Sequence, residues 1–202
     1  MNQRNIKTNF MKYILSPVLV FIFSISALTS SIATNNPPSV GTIDPSRGSS
    51  LPYQGKTFTT TYIDPNGFED ISYCMLMINT EINPLNCCYV RYTVDPGTFS
   101  LMNDSGSTFL APDQNNLIQN SYAILDCSKT AVTHPDANTI QVEWFITFKK
   151  AFSGKTYNTY LYAKDKLGLR TDWKKKGTWT VGNTDSPAAF GTINSSNRSF
   201  KR

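Results

Sequence analysis

Hard oxygen donors bunch in one stretch of the chain. Asp64, Asn66, Glu69 and Asp70 fall in the run Asp64-Pro65-Asn66-Gly67-Phe68-Glu69-Asp70, and Asp165 opens a second turn that ends at Gly168. Calcium takes six to eight oxygens, and one loop of this composition can offer three or four of them. The spacing is not that of an EF-hand. The competing explanation is a tight turn in which Asp64 and Asp70 bind backbone amides. Ca2+ is therefore the one cofactor the sequence raises, with Asp64, Asn66, Glu69, Asp70 and Asp165 as its ligands.

Other chemistry is thinly represented. The single histidine, His134, sits in Thr133-His134-Pro135-Asp136, a turn-like run with no nucleophile motif around any Ser or Cys. Paired carboxylates could serve a glycosidase, but the acids here sit mostly in turns. The expectation is that the chain is not an enzyme. Aromatic side chains can stack on sugar faces, and Trp173, Tyr157, Tyr160 and Tyr162 are the candidates for that role; Trp144 and Trp179 are expected in the core.

Four cysteines, Cys74, Cys87, Cys88 and Cys127, follow the N-terminal apolar run. There is no CxxC and only one His, so zinc is not expected. An even count in an exported chain implies disulfides. A bridge between the adjacent Cys87 and Cys88 would strain the backbone. Cys88 to Cys127 is the favoured pairing, and the fate of Cys74 and Cys87 stays open.

The elements that must position these residues begin after a leader. Met1–Lys12 carries Arg4, Lys7 and Lys12 and no acid; Tyr13–Leu28 is apolar; Ser31-Ile32-Ala33 supplies small residues. That order is a secretory signal peptide, with cleavage expected after Ala33. The apolar run is shorter than the roughly 20 residues of a spanning helix, and no second one exists, so the mature chain is expected to be secreted, without a transmembrane segment. The net charge of +5 resides in the two ends: between Thr34 and Gly182 there are 13 Lys+Arg and 13 Asp+Glu. Nucleic-acid binding needs a clustered basic face, and none is expected. Lys174-Lys175-Lys176, the densest basic run, reads as a solvated loop before a strand.

The body reads as strands and turns. Lys56–Ile63 alternates, with Phe58, Thr60 and Tyr62 on one face. Asp64-Pro65-Asn66-Gly67 is a strong turn signal, so Thr57–Asn79 resembles a hairpin. Asp70–Asn79 is almost continuously apolar, which predicts a central strand covered on both faces. Cys87–Val94 and Thr98–Met102 flank Asp95-Pro96-Gly97 as a hairpin. Pro112–Ser121 is polar and reads as a loop or crossover. Asn138–Lys149 alternates most clearly: Ile140, Val142, Trp144, Ile146 and Phe148 share a face, each worth about 1.5–3 kcal/mol on burial. Val40–Ile43, turned by Asp44-Pro45-Ser46-Arg47-Gly48, and Tyr122–Cys127 read as further short strands, and Thr156–Lys164 and Gly177–Val181 complete the set. About ten short strands without a helix predict an antiparallel β-sandwich over residues 37–182. Residues 183–202 read as a disordered tail.

The order of local runs adds a resemblance. A Pro-Pro near the start is followed by D-P-N-G, D-I-S-Y, C-Y, L-M-N-D-S-G and L-I-Q-N-S. F-x-G then precedes a Tyr-rich strand, followed by A-K-D-x-x-G-L, Trp, and G-T-W-T-V. From Pro37 to Val181 this resembles immunoglobulin-like or fibronectin-III-like modules of secreted bacterial proteins, often found in tandem. In such modules a Cys follows N-S by two places; here that position is Ala123. The resemblance implies a structural or adhesion module that binds a cell-surface or extracellular protein or glycan. A calcium-assisted carbohydrate-binding domain is the alternative.

Overall fold

A computed structural model describes residues 34–183. The leader expected over 1–33 and all but the first residue of the tail expected over 183–202 lie outside the described residues. The described chain is all-β, in two sheets.

The first sheet contains β1 (Ser39–Asp44), β3 (Gly55–Ile63), β11 (Thr139–Phe148), β9 (Ala123–Asp126) and β8 (Leu117–Gln119) in that spatial order, with β10 (Ala131–Thr133) also paired to β11. The second runs β2 (Arg47–Ser50), β13 (Lys174–Val181), β12 (Lys155–Asp165), β4 (Ile71–Asn79), β5 (Cys88–Thr93), β6 (Thr98–Met102), β7 (Phe109–Leu110). Every pair is antiparallel except β2–β13, which is parallel, so the expected purely antiparallel sandwich is corrected at that edge.

The core forms where the period-two faces of the two sheets meet. Phe58, Tyr62, Ile140, Val142, Trp144, Ile146 and Phe148 from the first sheet pack in one buried cluster with Cys74, Leu76, Ile78, Val90, Leu161 and Trp179 from the second. Phe58 meets Trp179 edge-on at 4.9 Å. Polar atoms inside the cluster are matched: Trp144 Nε1 donates to Thr60 Oγ1 at 2.8 Å, and Tyr62 Oη donates across the sheets to the Met75 carbonyl at 2.9 Å. Phe145, on the outward face of β11, is covered by Lys129, whose Nζ lies 4.8 Å from its ring centre.

The structure differs from the sequence expectation in three ways. First, β3 and β4 do not form a hairpin: β3 pairs with β1 and β11, β4 with β12 and β5. Their acidic connection therefore crosses from one sheet to the other. Secondly, Lys174–Lys176 belong to β13 rather than to a loop, and Lys176 Nζ reaches the Val40 carbonyl at 3.0 Å. Thirdly, the described residues form 13 strands. Four short ones were missed: β2 in a segment read as a turn, β8 in the run read as loop or crossover, and β7 and β10.

Candidate functional site

Two constellations stand out, one at the sheet-crossing loop and one on the outer face of the second sheet. The β3–β4 loop is built by turn chemistry. Asp64 Oδ1 accepts from the Asn66 amide at 2.8 Å, its carbonyl accepts from Gly67 N at 3.1 Å, and Gly67 takes a positive φ of 114° that favours glycine. The β10–β11 loop braces it from the side, with Phe68 N donating to the Ala137 carbonyl at 2.9 Å and Phe68 stacking on His134 at 3.9 Å.

The crossing brings Asp64 and Asp70 to the start of the β12–β13 loop, where Asp165 ends its strand. One carboxylate oxygen from each of the three lies within 4.8 Å of the others. Asp64 is wholly buried, Asp165 is 1% exposed, and Asp70 is half-buried. Asp165 Oδ1 accepts from Leu169 N at 2.7 Å and its Oδ2 from Asn35 Nδ2 at 3.0 Å. Asp64 Oδ2 has no hydrogen-bond partner. The ion pairs among the described residues, Lys129–Asp126 and Lys174–Asp172, leave all three carboxylates without a cationic side chain. Burial first, then the neighbouring Asp70 and Asp165 charges, push the Asp64 carboxyl above its ordinary value, against the opposing pull of the Asn66 amide.

Of the five expected calcium ligands, the structure thus brings together Asp64, Asp70 and Asp165. Glu69 is exposed and outside the cluster. Asn66 turns away to hold the incoming chain, its Oδ1 accepting from Asn36 N at 2.7 Å and its Nδ2 donating to the Thr34 carbonyl at 2.9 Å.

The second constellation is aromatic. On β4, β5 and β12 the residues that face away from the core form a cluster of their own: Met75, Met77, Tyr89 and Tyr160, with Tyr73, Phe109, Tyr162 and Trp173 half-buried against it. Tyr73, Tyr89, Tyr162 and Trp173 line a groove of about 360 Å3, whose polar wall is Arg170, Thr171 and Asp172. Tyr162 and Trp173 lie 5.1 Å apart, and Tyr89 meets Trp173 edge-on at 5.5 Å. Arg91 packs its guanidinium over Phe109 at 3.9 Å. Burial raises the phenol pKa of both Tyr89 and Tyr162, so they remain neutral hydrogen-bonding groups.

Of the four residues expected to stack on a sugar, Trp173 and Tyr162 line this groove. Tyr160 belongs to the same face but is buried, with its hydroxyl bonded to Asn158 Nδ2 at 2.9 Å. Tyr157 is a correction: it points into the core, stacks on Phe152 at 3.7 Å and donates to the Phe152 carbonyl at 2.9 Å. Period two carries the signal that excludes it, since 157 has the opposite parity to 160 and 162. Tyr73 and Tyr89 were missed.

The expected Cys88–Cys127 bridge is also corrected, because all four cysteines are free thiols. Cys87 and Cys88 project to opposite faces of the second sheet, Cys88 into the inter-sheet core and Cys87 into the outer cluster. The first-sheet segment that reaches them is Asn120–Ala123: Asn120 Nδ2 donates to the Cys87 carbonyl at 2.9 Å, and its Oδ1 accepts from Ala123 N at 2.8 Å. Cys127 lies four residues further on, about 13 Å along an extended chain, well outside disulfide reach.

No family model and no curated protein matches the chain. Among solved structures, the one described as "AvmM Catalyzes Macrocyclization in Alchivemycin A Biosynthesis" is similar over 76% of this chain and 93% of that chain, at 8% identity and a TM-score of 0.36. That finding corrects the expectation that the chain is not an enzyme: the exclusion does not stand against a neighbour described as a catalyst. At this TM-score the likeness assigns neither a fold family nor an activity. Among the described residues, no helix is long and apolar enough to cross a membrane.

Proposed function

We propose that the protein is an exported immunoglobulin-like module that binds a carbohydrate on the outer face of its second sheet. The observation that carries this reading is the aromatic groove. Four rings line it, and Arg170, Thr171 and Asp172 supply charged and hydroxyl groups along one wall. A sugar offers the matching chemistry, with apolar C–H faces for the rings and hydroxyls for the polar wall. The groove volume lies within the roughly 300–1,000 Å3 range of small-ligand sites. The signal-peptide pattern at the N-terminus supports export, and the two packed sheets around Trp144 are compatible with the immunoglobulin-like resemblance.

The test is a glycan array followed by titration of any hit. Trp173→Ala and Tyr162→Ala are expected to weaken binding at least about tenfold each, the loss of about 1.4 kcal/mol of stacking. Both should also lower the melting temperature, since both rings pack against the outer cluster, so binding is compared well below each variant's melting temperature. No signal on the array, or a hit indifferent to both substitutions, would sink the reading and turn attention to an extracellular protein partner.

A further inference from the structure

We propose that Asp64, Asp70 and Asp165 hold a Ca2+ ion, and that the ion fixes the β12–β13 loop that walls the aromatic groove. The first half stands on the acidic cluster together with the buried, unpartnered Asp64 Oδ2; the second rests on the groove being a binding site.

Without an ion the arrangement is costly. A buried carboxylate oxygen with no partner is expensive, and an unpaired buried charge more so. Asp64 is both fully buried and left with Oδ2 unpartnered. Two further carboxylates converge on it, and no cationic side chain among the described residues answers them. An ordinary capped turn explains Asp64 Oδ1, which serves the Asn66 amide. It does not explain the convergence of the other two carboxylates.

The donor set suits calcium. All three side chains are hard oxygen ligands, each able to bind through one or both oxygens, and water can complete a shell of six to eight. Asn35 already touches Asp165 Oδ2 through its amide. Rotating that amide by half a turn would present its oxygen instead of its nitrogen, a neutral fourth protein ligand. Magnesium demands a stricter octahedron and gives up water reluctantly, so it should bind more weakly here.

The link to the groove runs through a short stretch of chain. The β12–β13 loop departs from Asp165. Asp165 N and Oδ1 bond the Leu169 carbonyl and amide at 2.9 and 2.7 Å, and Lys166 N bonds the Asp70 carbonyl at 2.8 Å. Two proposed ligands are thus the residues that anchor the loop. Its next residues, Arg170 to Trp173, line the groove. An ion that holds Asp165 against Asp64 and Asp70 would restrain the base of this wall.

The experiment uses the full chain and CaCl2, with MgCl2 as comparator. Calorimetric titration should show Ca2+ binding that Asp64→Asn abolishes, although the asparagine keeps an oxygen for the Asn66 amide. Glu69→Gln, outside the cluster, should bind as wild type does. Hydrogen exchange followed by mass spectrometry should show residues 166–173 slowed by Ca2+ in wild type and unchanged by it in Asp64→Asn. Should Asp64→Asn fail to fold, Asp70→Asn at the half-buried position carries the same test. Absence of Ca2+ binding, or binding that survives these substitutions, overturns the site. Binding without slower exchange over 166–173 overturns the coupling. None of these readouts uses a glycan, so their failure is separate from failure of the carbohydrate reading.

Discussion

Asp64 shows how one side chain can be assigned opposite effects on stability by what surrounds it. Its carboxyl is raised first by burial and then by Asp70 and Asp165, so without metal the folded chain binds this proton more tightly than the unfolded chain does. The stability this provides is full below the unfolded value, near 3.8, and is lost as pH rises through the raised folded value. At neutral pH without metal, Asp64→Asn should therefore be more stable than wild type, and the gap should close as pH falls toward 4. Saturating Ca2+ should reverse the order at neutral pH. Urea melts with chelator and with Ca2+, at pH 7 and pH 4.5, check both halves; a wild type more stable than Asp64→Asn in chelator at pH 7 would refute the account. Of the five oxygen-bearing residues picked out in two turns of the sequence, the structure brings three together, and they were legible because carboxylates in turns announce themselves. Tyr73 and Tyr89 were not. They lie in strands dense with apolar residues, where a second packed face and a ligand face have the same composition.

Elements were legible in proportion to their length and to how one-sided their burial is. β11 buries alternate residues along most of its length, and period two exposes it in the sequence. The strands β2, β7, β8 and β10 span two to four residues, too few to display a period. Sheet membership was the larger loss: a strong turn signal between β3 and β4 specifies a reversal, but nothing local says whether the second strand pairs with the first or crosses to another sheet. The β8–β9 hairpin depends on a comparable long-range device. Asn120 uses both ends of its amide, donating to the Cys87 and Met102 carbonyls at 2.9 Å each and accepting from Tyr122 N and Ala123 N at 2.8 Å each. It ties the hairpin of the first sheet to β5 and β6 of the second. Asn120→Ala leaves these buried groups unmet, at about 1–3 kcal/mol for each orphan, so a loss of about 3 kcal/mol in urea denaturation is expected. A loss under about 1 kcal/mol would mean the hairpin is held by its apolar contacts alone.

The whole molecule places its four thiols where only global unfolding should expose them together. Cys74 and Cys88 are fully enclosed in the inter-sheet core, Cys87 lies under the outer cluster, and Cys127 is half-buried against the core. Burial raises all four: Cys87 to about 12, Cys127 to about 11, and Cys74 and Cys88 well above the ordinary thiol value. Alkylation needs the thiolate, so enclosure and the raised pKa act in the same direction. In native buffer at pH 8 the protein should resist iodoacetamide, with Cys127 the first to react. As urea is added, Cys74, Cys87 and Cys88 should become reactive together, following the loss of tryptophan signal, because the three sit within one packed body whose opening is cooperative. Mass spectrometry of quenched time points resolves the sites. Modification of Cys88 ahead of global unfolding would show that the second sheet opens separately. A disulfide at Cys88 in protein purified without reductant would show that the free thiols do not persist under oxidising conditions.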